Sequence, residues 1–111
     1  MFTIDENTMR ITLTRGDTLK TKVGMTYKTG DVYTPSEGDS LRFALKKNYK
    51  DEEPLILKTI PIDTCILHLE PNDTKDMKFG SYVYDIEITF ANGDVDTFID
   101  KKEFVLTEEV H

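Results

Sequence analysis

Apolar residues recur at every second position through most of this chain. Met9, Ile11 and Leu13 alternate with Arg10, Thr12 and Thr14, and Leu19, Thr21, Val23, Met25 and Tyr27 alternate with Lys20, Lys22 and Thr26. Leu41, Phe43 and Leu45 alternate with Arg42, Ala44 and Lys46, and Tyr82, Tyr84, Ile86, Ile88 and Phe90 form a longer run. A period of two is the spacing of a half-buried strand, and no segment sustains a helical period. Two shorter runs, residues 55–60 and 65–69, and a last strand from Val95 bring the total to about seven predicted strands. Turn residues separate them: Arg15-Gly16-Asp17, a loop over 27–39 with a tight turn at Thr29-Gly30, and a polar stretch before Pro54. After Pro71, either Asn72 or Asp73 can cap one helical turn over residues 74–77.

About seven short strands at regular spacing are the pattern of an all-β sandwich or small barrel, and the segment from Asp73 to Asp94 narrows the choice. A polar turn, Gly80, Tyr82, a long alternating strand and Asn92-Gly93 suit the E–F corner and F–G hairpin of an immunoglobulin-like β-sandwich of antiparallel strands. Tyr82 is then expected to bond its hydroxyl back to the preceding connection, and Gly80 to supply a backbone conformation. Asn92-Gly93 predicts a two-residue type I′ turn. That register sets Phe90 against Val95, Ile88 against Thr97 and Ile86 against Ile99 on the core side. Thr89 and Asp96, Glu87 and Phe98, and Asp85 and Asp100 then face outward. Arg42 and Lys46, on the neighbouring strand, would offset the like-charge pair of Asp85 and Asp100. Phe104 and Leu106 reach the core only if a bulge near Lys101-Lys102-Glu103 changes the phase. The outer face therefore carries Arg42, Lys46, Glu87, Asp96 and Phe98, charged residues around one aromatic, which is the predicted protein interface.

The whole chain, residues 1–111, has the size of one domain with one core. A formal net charge of −7 argues against nucleic acid or anionic lipid as a direct partner. No apolar run reaches membrane-spanning length and no leader precedes the first strand, so a complete small gene product made in the cytosol is expected. Cys65 is the single cysteine, which excludes an internal disulfide. It reads as a small core hydrophobe, with His68 on the opposite face of the strand. His111 is terminal.

No phosphate-binding glycine loop, zinc pair or nucleophile elbow is present, so no catalytic, metal-binding or cofactor-binding residue is assigned. Asn92, Asp94, Asp96 and Asp100 lack the spacing of a calcium loop and read as a wet strand face. Glu37-Gly38-Asp39 and Asp51-Glu52-Glu53 read as solvated loops. Arg15-Gly16-Asp17 matches an integrin-binding tripeptide by letter and reads as a turn.

The chain resembles small proteins encoded among the structural genes of tailed bacteriophages and prophages of Gram-positive gut bacteria. The shared look covers Ile11-Thr12-Leu13-Thr14-Arg15-Gly16-Asp17-Thr18-Leu19, Pro35-Ser36-Glu37-Gly38-Asp39 with Leu41-Arg42-Phe43-Ala44-Leu45-Lys46, and Glu53-Pro54-Leu55-Ile56. It continues through Phe79-Gly80-Ser81-Tyr82-Val83-Tyr84-Asp85-Ile86 and Gly93-Asp94-Val95-Asp96-Thr97. The layout is also similar to the N-terminal immunoglobulin-like domain of phage baseplate upper proteins, which carry a receptor-binding or oligomerising extension. The sequence, which ends at His111, does not include such an extension. The resemblance implies a non-enzymatic virion structural or assembly protein, made in the bacterial host cytoplasm, that binds other phage proteins or itself and uses no cofactor. A module that binds host-surface glycans is the alternative.

Overall fold

A computed structural model describes residues 2–5, 7–26 and 31–108, with the side chains of Met25, Thr26 and Phe98 outside that description. The expected turn at Thr29-Gly30 and the terminal His111 also lie outside it. The strands are β1 (Phe2–Ile4), β2 (Ile11–Thr14), β3 (Leu19–Lys22), β4 (Met25–Thr26) and β5 (Val32–Tyr33). They continue with β6 (Ser40–Lys46), β7 (Ile56–Ile60), β8 (Ile66–Leu69), one helical turn α1 (Pro71–Thr74), β9 (Gly80–Thr89) and β10 (Val95–Thr107).

The protein is mostly β. A curled, mixed six-stranded sheet has the order β1-β2-β10-β9-β6-β7, β3 pairs with β8 in a small second sheet, and β4 pairs with β5. The expectation of about seven antiparallel strands is corrected in two ways. The described residues hold ten strands, and β2 runs parallel to β10, with Ile11 opposite Phe104 and Leu13 opposite Leu106. The continuous strand expected over 19–27 also divides. Val23 donates its N–H to the Cys65 carbonyl at 2.7 Å as the last rung beside β8. The chain then leaves that pair, and β4 joins β5.

The alternation decides what is buried. Leu41, Phe43 and Leu45 of β6, Tyr82, Tyr84, Ile86 and Ile88 of β9, and Phe104 and Leu106 of β10 turn inward. They meet Leu19 of β3 and Leu67 and Leu69 of β8 in one core. Phe43, Tyr84 and Phe104 lie with ring centroids 5.6–6.5 Å apart, within the range of favourable tilted and edge contacts. Tyr84 donates its hydroxyl to the Met9 carbonyl, and burial pushes its pKa up to about 12. Cys65 is buried and His68 exposed.

The corner at the start of β9 has the expected hydrogen bond. Tyr82 donates its hydroxyl to the Lys78 carbonyl at 2.6 Å, and Gly80 opens the strand at φ 138°. The helical turn begins earlier than expected, capped at Glu70. Pro71 fills the first position, where no N–H is needed, and Asp73 sits at the third, reaching back to the Glu70 N–H at 2.7 Å. Thr74, fully buried, accepts the Gly16 N–H at 3.0 Å and ties the turn to the loop after β2.

The β9–β10 hairpin departs from the type I′ expectation by one residue. Gly93 donates to the Phe90 carbonyl at 2.8 Å and Phe90 to the Asp94 carbonyl at 2.7 Å, closing a loop of Ala91, Asn92 and Gly93. Gly93 sits at φ 95°, the left-handed position of a three-residue hairpin loop. Val95 therefore faces Thr89, Asp96 faces Ile88 and Thr97 faces Glu87. A register shift between Thr97 and Ile99 then restores the expected pairing of Ile99 with Ile86. The second shift falls between Ile99 and Lys102, where Lys101 takes φ 53°. It restores Phe104 and Leu106 to the core, as the phase of those residues requires, and removes the expected Asp85–Asp100 pairing. Asp85 instead accepts the Lys101 N–H at 2.7 Å.

Candidate interaction surface

The outer face of β9, β6 and β7 is built by register. Arg42 lies between Glu87 and Thr59, and Ala44 between Asp85 and Leu57. Lys46 lies beside Val83. The segment after β6 folds back on itself through Asn48 and Asp51, whose N–H groups donate to the Asp51 carboxylate and the Asn48 carbonyl, both at 3.0 Å. Leu55 returns the chain by donating to the Leu45 carbonyl at 2.7 Å. This places Glu52 and Pro54 above the sheet. The result is a groove of about 230 Å³ whose walls include Arg42, Lys46, Glu52, Asp85 and Glu87, and whose apolar lining comes from Ala44, Pro54 and Leu57.

Three of the groove's charges, Arg42, Glu87 and Asp85, are paired or aimed. Arg42 and Glu87 form an ion pair, exposed enough that its contribution to folding is only about 0–1 kcal/mol. Its more useful property is fixing two opposite charges at one wall. The bulge amide of Lys101 orients the Asp85 carboxylate, and the Lys101 ammonium lies 4.8 Å from the Tyr49 ring centroid. Leu57 of β7, at 52% exposure, gives the groove an uncovered apolar side chain. Exposed apolar side chains beside charged ones are a composition that protein-binding patches share.

Of the predicted interface residues, Arg42, Lys46 and Glu87 come together here. Asp96 does not. The longer hairpin loop sets it opposite Ile88, on the side of the sheet that faces the core, although near the hairpin tip it stays exposed. Phe98 follows Thr97 at the register shift, and its side chain lies outside the described residues. Val95 and Thr97 take the outward positions instead.

Leu57 and Pro54 were missed, and Glu52 was read only as part of a solvated loop. Leu57 left a readable signal: between the inward Ile56 and Ile60 it is apolar in the outward phase. Asp85 was expected on this outer face beside Arg42 and Lys46, and its pairing with Ala44 puts it there; what the sequence did not show is the Lys101 amide that holds its carboxylate.

Other sequence features resolve into structure. Arg15 donates from Nη1 to the Met77 carbonyl at 3.1 Å and stacks 4.2 Å from the Phe79 ring centroid, so the tripeptide's arginine packs against its own chain. Asp39, read from sequence as solvated, is buried. Its carboxylate accepts the Tyr33 hydroxyl, the Ser36 N–H at 3.0 Å and the Ala91 N–H at 3.1 Å. Those bonds, the Tyr33 hydroxyl foremost, hold its pKa below the ordinary 3.8, against the opposing effect of desolvation. Among the described residues, no group of three or more His, Cys, Asp or Glu side chains is placed to hold a metal ion, and no helix is long and apolar enough to cross a membrane. Comparison with family models, curated proteins and solved structures finds no match for the chain.

Proposed function

We propose that this chain is a non-enzymatic module of a tailed-phage or prophage virion that binds other phage structural proteins through the outer face of its large sheet. The observation that carries the reading is the groove in which Arg42, Lys46, Asp85 and Glu87 lie beside Ala44, Pro54 and Leu57. It offers one ion pair for register and exposed apolar side chains for contact, with Glu52 as a further charge. An immunoglobulin-like sandwich is the scaffold we propose for it. Support comes from the order β2-β10-β9-β6-β7, in which an early strand lies parallel beside the last. The separate β3–β8 pair and the Tyr82 corner bond agree with that scaffold.

The test is made on particles. Virions purified by density gradient from a lysogen encoding the chain are expected to contain it, and Leu57→Asp with Lys46→Glu is expected to remove it while the isolated protein stays folded. Normal particles from a deletion strain, with the chain absent from parental virions, would overturn the reading. Saturable binding to a glycan array that depends on the exposed Tyr49 would favour the host-surface alternative.

A further inference from the structure

The small sheet leaves one side of the molecule open. In the β3–β8 pair, Leu19 faces Leu69, Lys20 faces His68, Thr21 faces Leu67 and Lys22 faces Ile66. Val23 continues this ladder by donating to the Cys65 carbonyl. Antiparallel rungs alternate, so the bonded positions are 19, 21 and 23. Lys20 and Lys22 therefore turn their N–H and C=O groups away from β8, along an edge that no other strand covers among the described residues. A two-stranded sheet with an open edge is a template for a further strand.

That edge borders a cleft of about 310 Å³ that separates β3 from β1 and β2. Ile4, Met9, Ile11, Val23, Ile86 and Ile99 line it, and the Tyr84 hydroxyl on its wall is already committed to Met9. The cleft therefore offers apolar surface, while the polar groups beside it are the free β3 backbone. Charge adds direction. In a chain of net charge −7, β3 contributes Lys20 and Lys22, and neither β3 nor β8 contains an acid.

We infer that an extended segment of a partner protein adds as a third strand beside β3, with apolar side chains entering the cleft at alternate positions and carboxylates facing Lys20 and Lys22. A residue opposite Lys20 or Lys22 points the same way as that lysine, out of the cleft, and its neighbours point in. The partner sequence is thus an alternation of aliphatic and acidic residues. The site lies away from the outer-face groove and does not rest on the phage reading.

The probe is a capped peptide of about seven residues, valine alternating with aspartate or glutamate, titrated into the isotope-labelled chain and followed by NMR. Saturable shifts are expected at residues 20–24, Ile4 and Met9, with slowed amide exchange at Lys20 and Lys22. Lys20→Glu with Lys22→Glu, both exposed, is expected to weaken binding at least about tenfold, as is replacing the peptide's acids by lysine. N-methylating one alternate set of peptide amides should abolish binding, while methylating the other set is tolerated, because only one set faces β3. Leu57→Asp should leave binding intact, which separates this site from the groove. No saturable shift, equal loss from both methylated peptides, or unprotected Lys20 and Lys22 amides would overturn the inference. A concentration-dependent dimer protecting those amides without peptide would also overturn it, making a second copy the occupant.

Discussion

Tyr82→Phe removes one oxygen from a corner where its effect can be worked out. The side chain is 5% exposed, and phenylalanine keeps the ring, so no cavity opens in the core. The Lys47 ammonium 4.7 Å from the ring centroid keeps its aromatic face. What is lost is the 2.6 Å bond to the Lys78 carbonyl. A hydrogen bond of this kind contributes about 0.5–1.5 kcal/mol net. Lys78 is exposed, so water can satisfy the abandoned carbonyl, and the expected loss is near the middle, about 1 kcal/mol. For 111 residues the unfolding entropy is about 0.23 kcal/mol/K, so Tm should fall by about 4 °C. Guanidinium unfolding should show a lower midpoint with an unchanged slope. Coincident melting curves for mutant and parent would refute the corner as an anchor of the fold.

Gly38→Ala should destabilise by about 2 kcal/mol or more, because Gly38 holds φ 95° and an added Cβ would lie 2.8 Å from the Ala91 Cβ. Thermal unfolding of the single variant and of its combination with Ala91→Gly checks this: the double variant should recover the steric part and retain the backbone part. Asp39→Asn should flatten the acid limb of stability. The parent's lowered carboxylate pKa gives stability that is present above the unfolded value near 3.8 and lost as pH falls through the lower folded value. Melting temperatures across that range should therefore decline more steeply in the parent, and parallel curves would refute the assignment.

The strands were legible because a buried face is written at every second position, and nothing in this chain competes with that period. Leu41, Phe43 and Leu45, or Tyr82 through Ile88, announce an inward face without help from the rest of the molecule. The Tyr82 corner was legible for a related reason, since donor and acceptor are four residues apart. Strand order was less accessible. That β2 joins β10 in parallel depends on contacts between the two ends of the chain, which no local pattern records. The groove was half legible: the alternation of β6 gave Arg42 and Lys46, while the covering loop that brings Glu52 and Pro54 over them is polar and aperiodic.

The misplacement of Asp96 shows why the remainder could not be read. Asn92-Gly93 suits two turns, one with both residues left-handed and one with only Gly93 so, and they differ by a single residue in register. In the structure Ala91 belongs to the loop, and its N–H is captured by Asp39, a buried carboxylate from far earlier in the chain. Because that partner is non-local, the dipeptide alone does not decide between the turns. The one-residue change turns Val95 and Thr97 outward and takes Asp96 off the outer face until the shift after Thr97 restores Ile99 to Ile86. Core pairing thus survives an error in the loop, because burial corrects the phase, whereas the exposed stretch between loop and bulge has no such correction. A surface residue predicted from hairpin register is therefore only as secure as the turn that sets it. The groove residues on β6 and β9, fixed by their own strand pairing, do not depend on that turn.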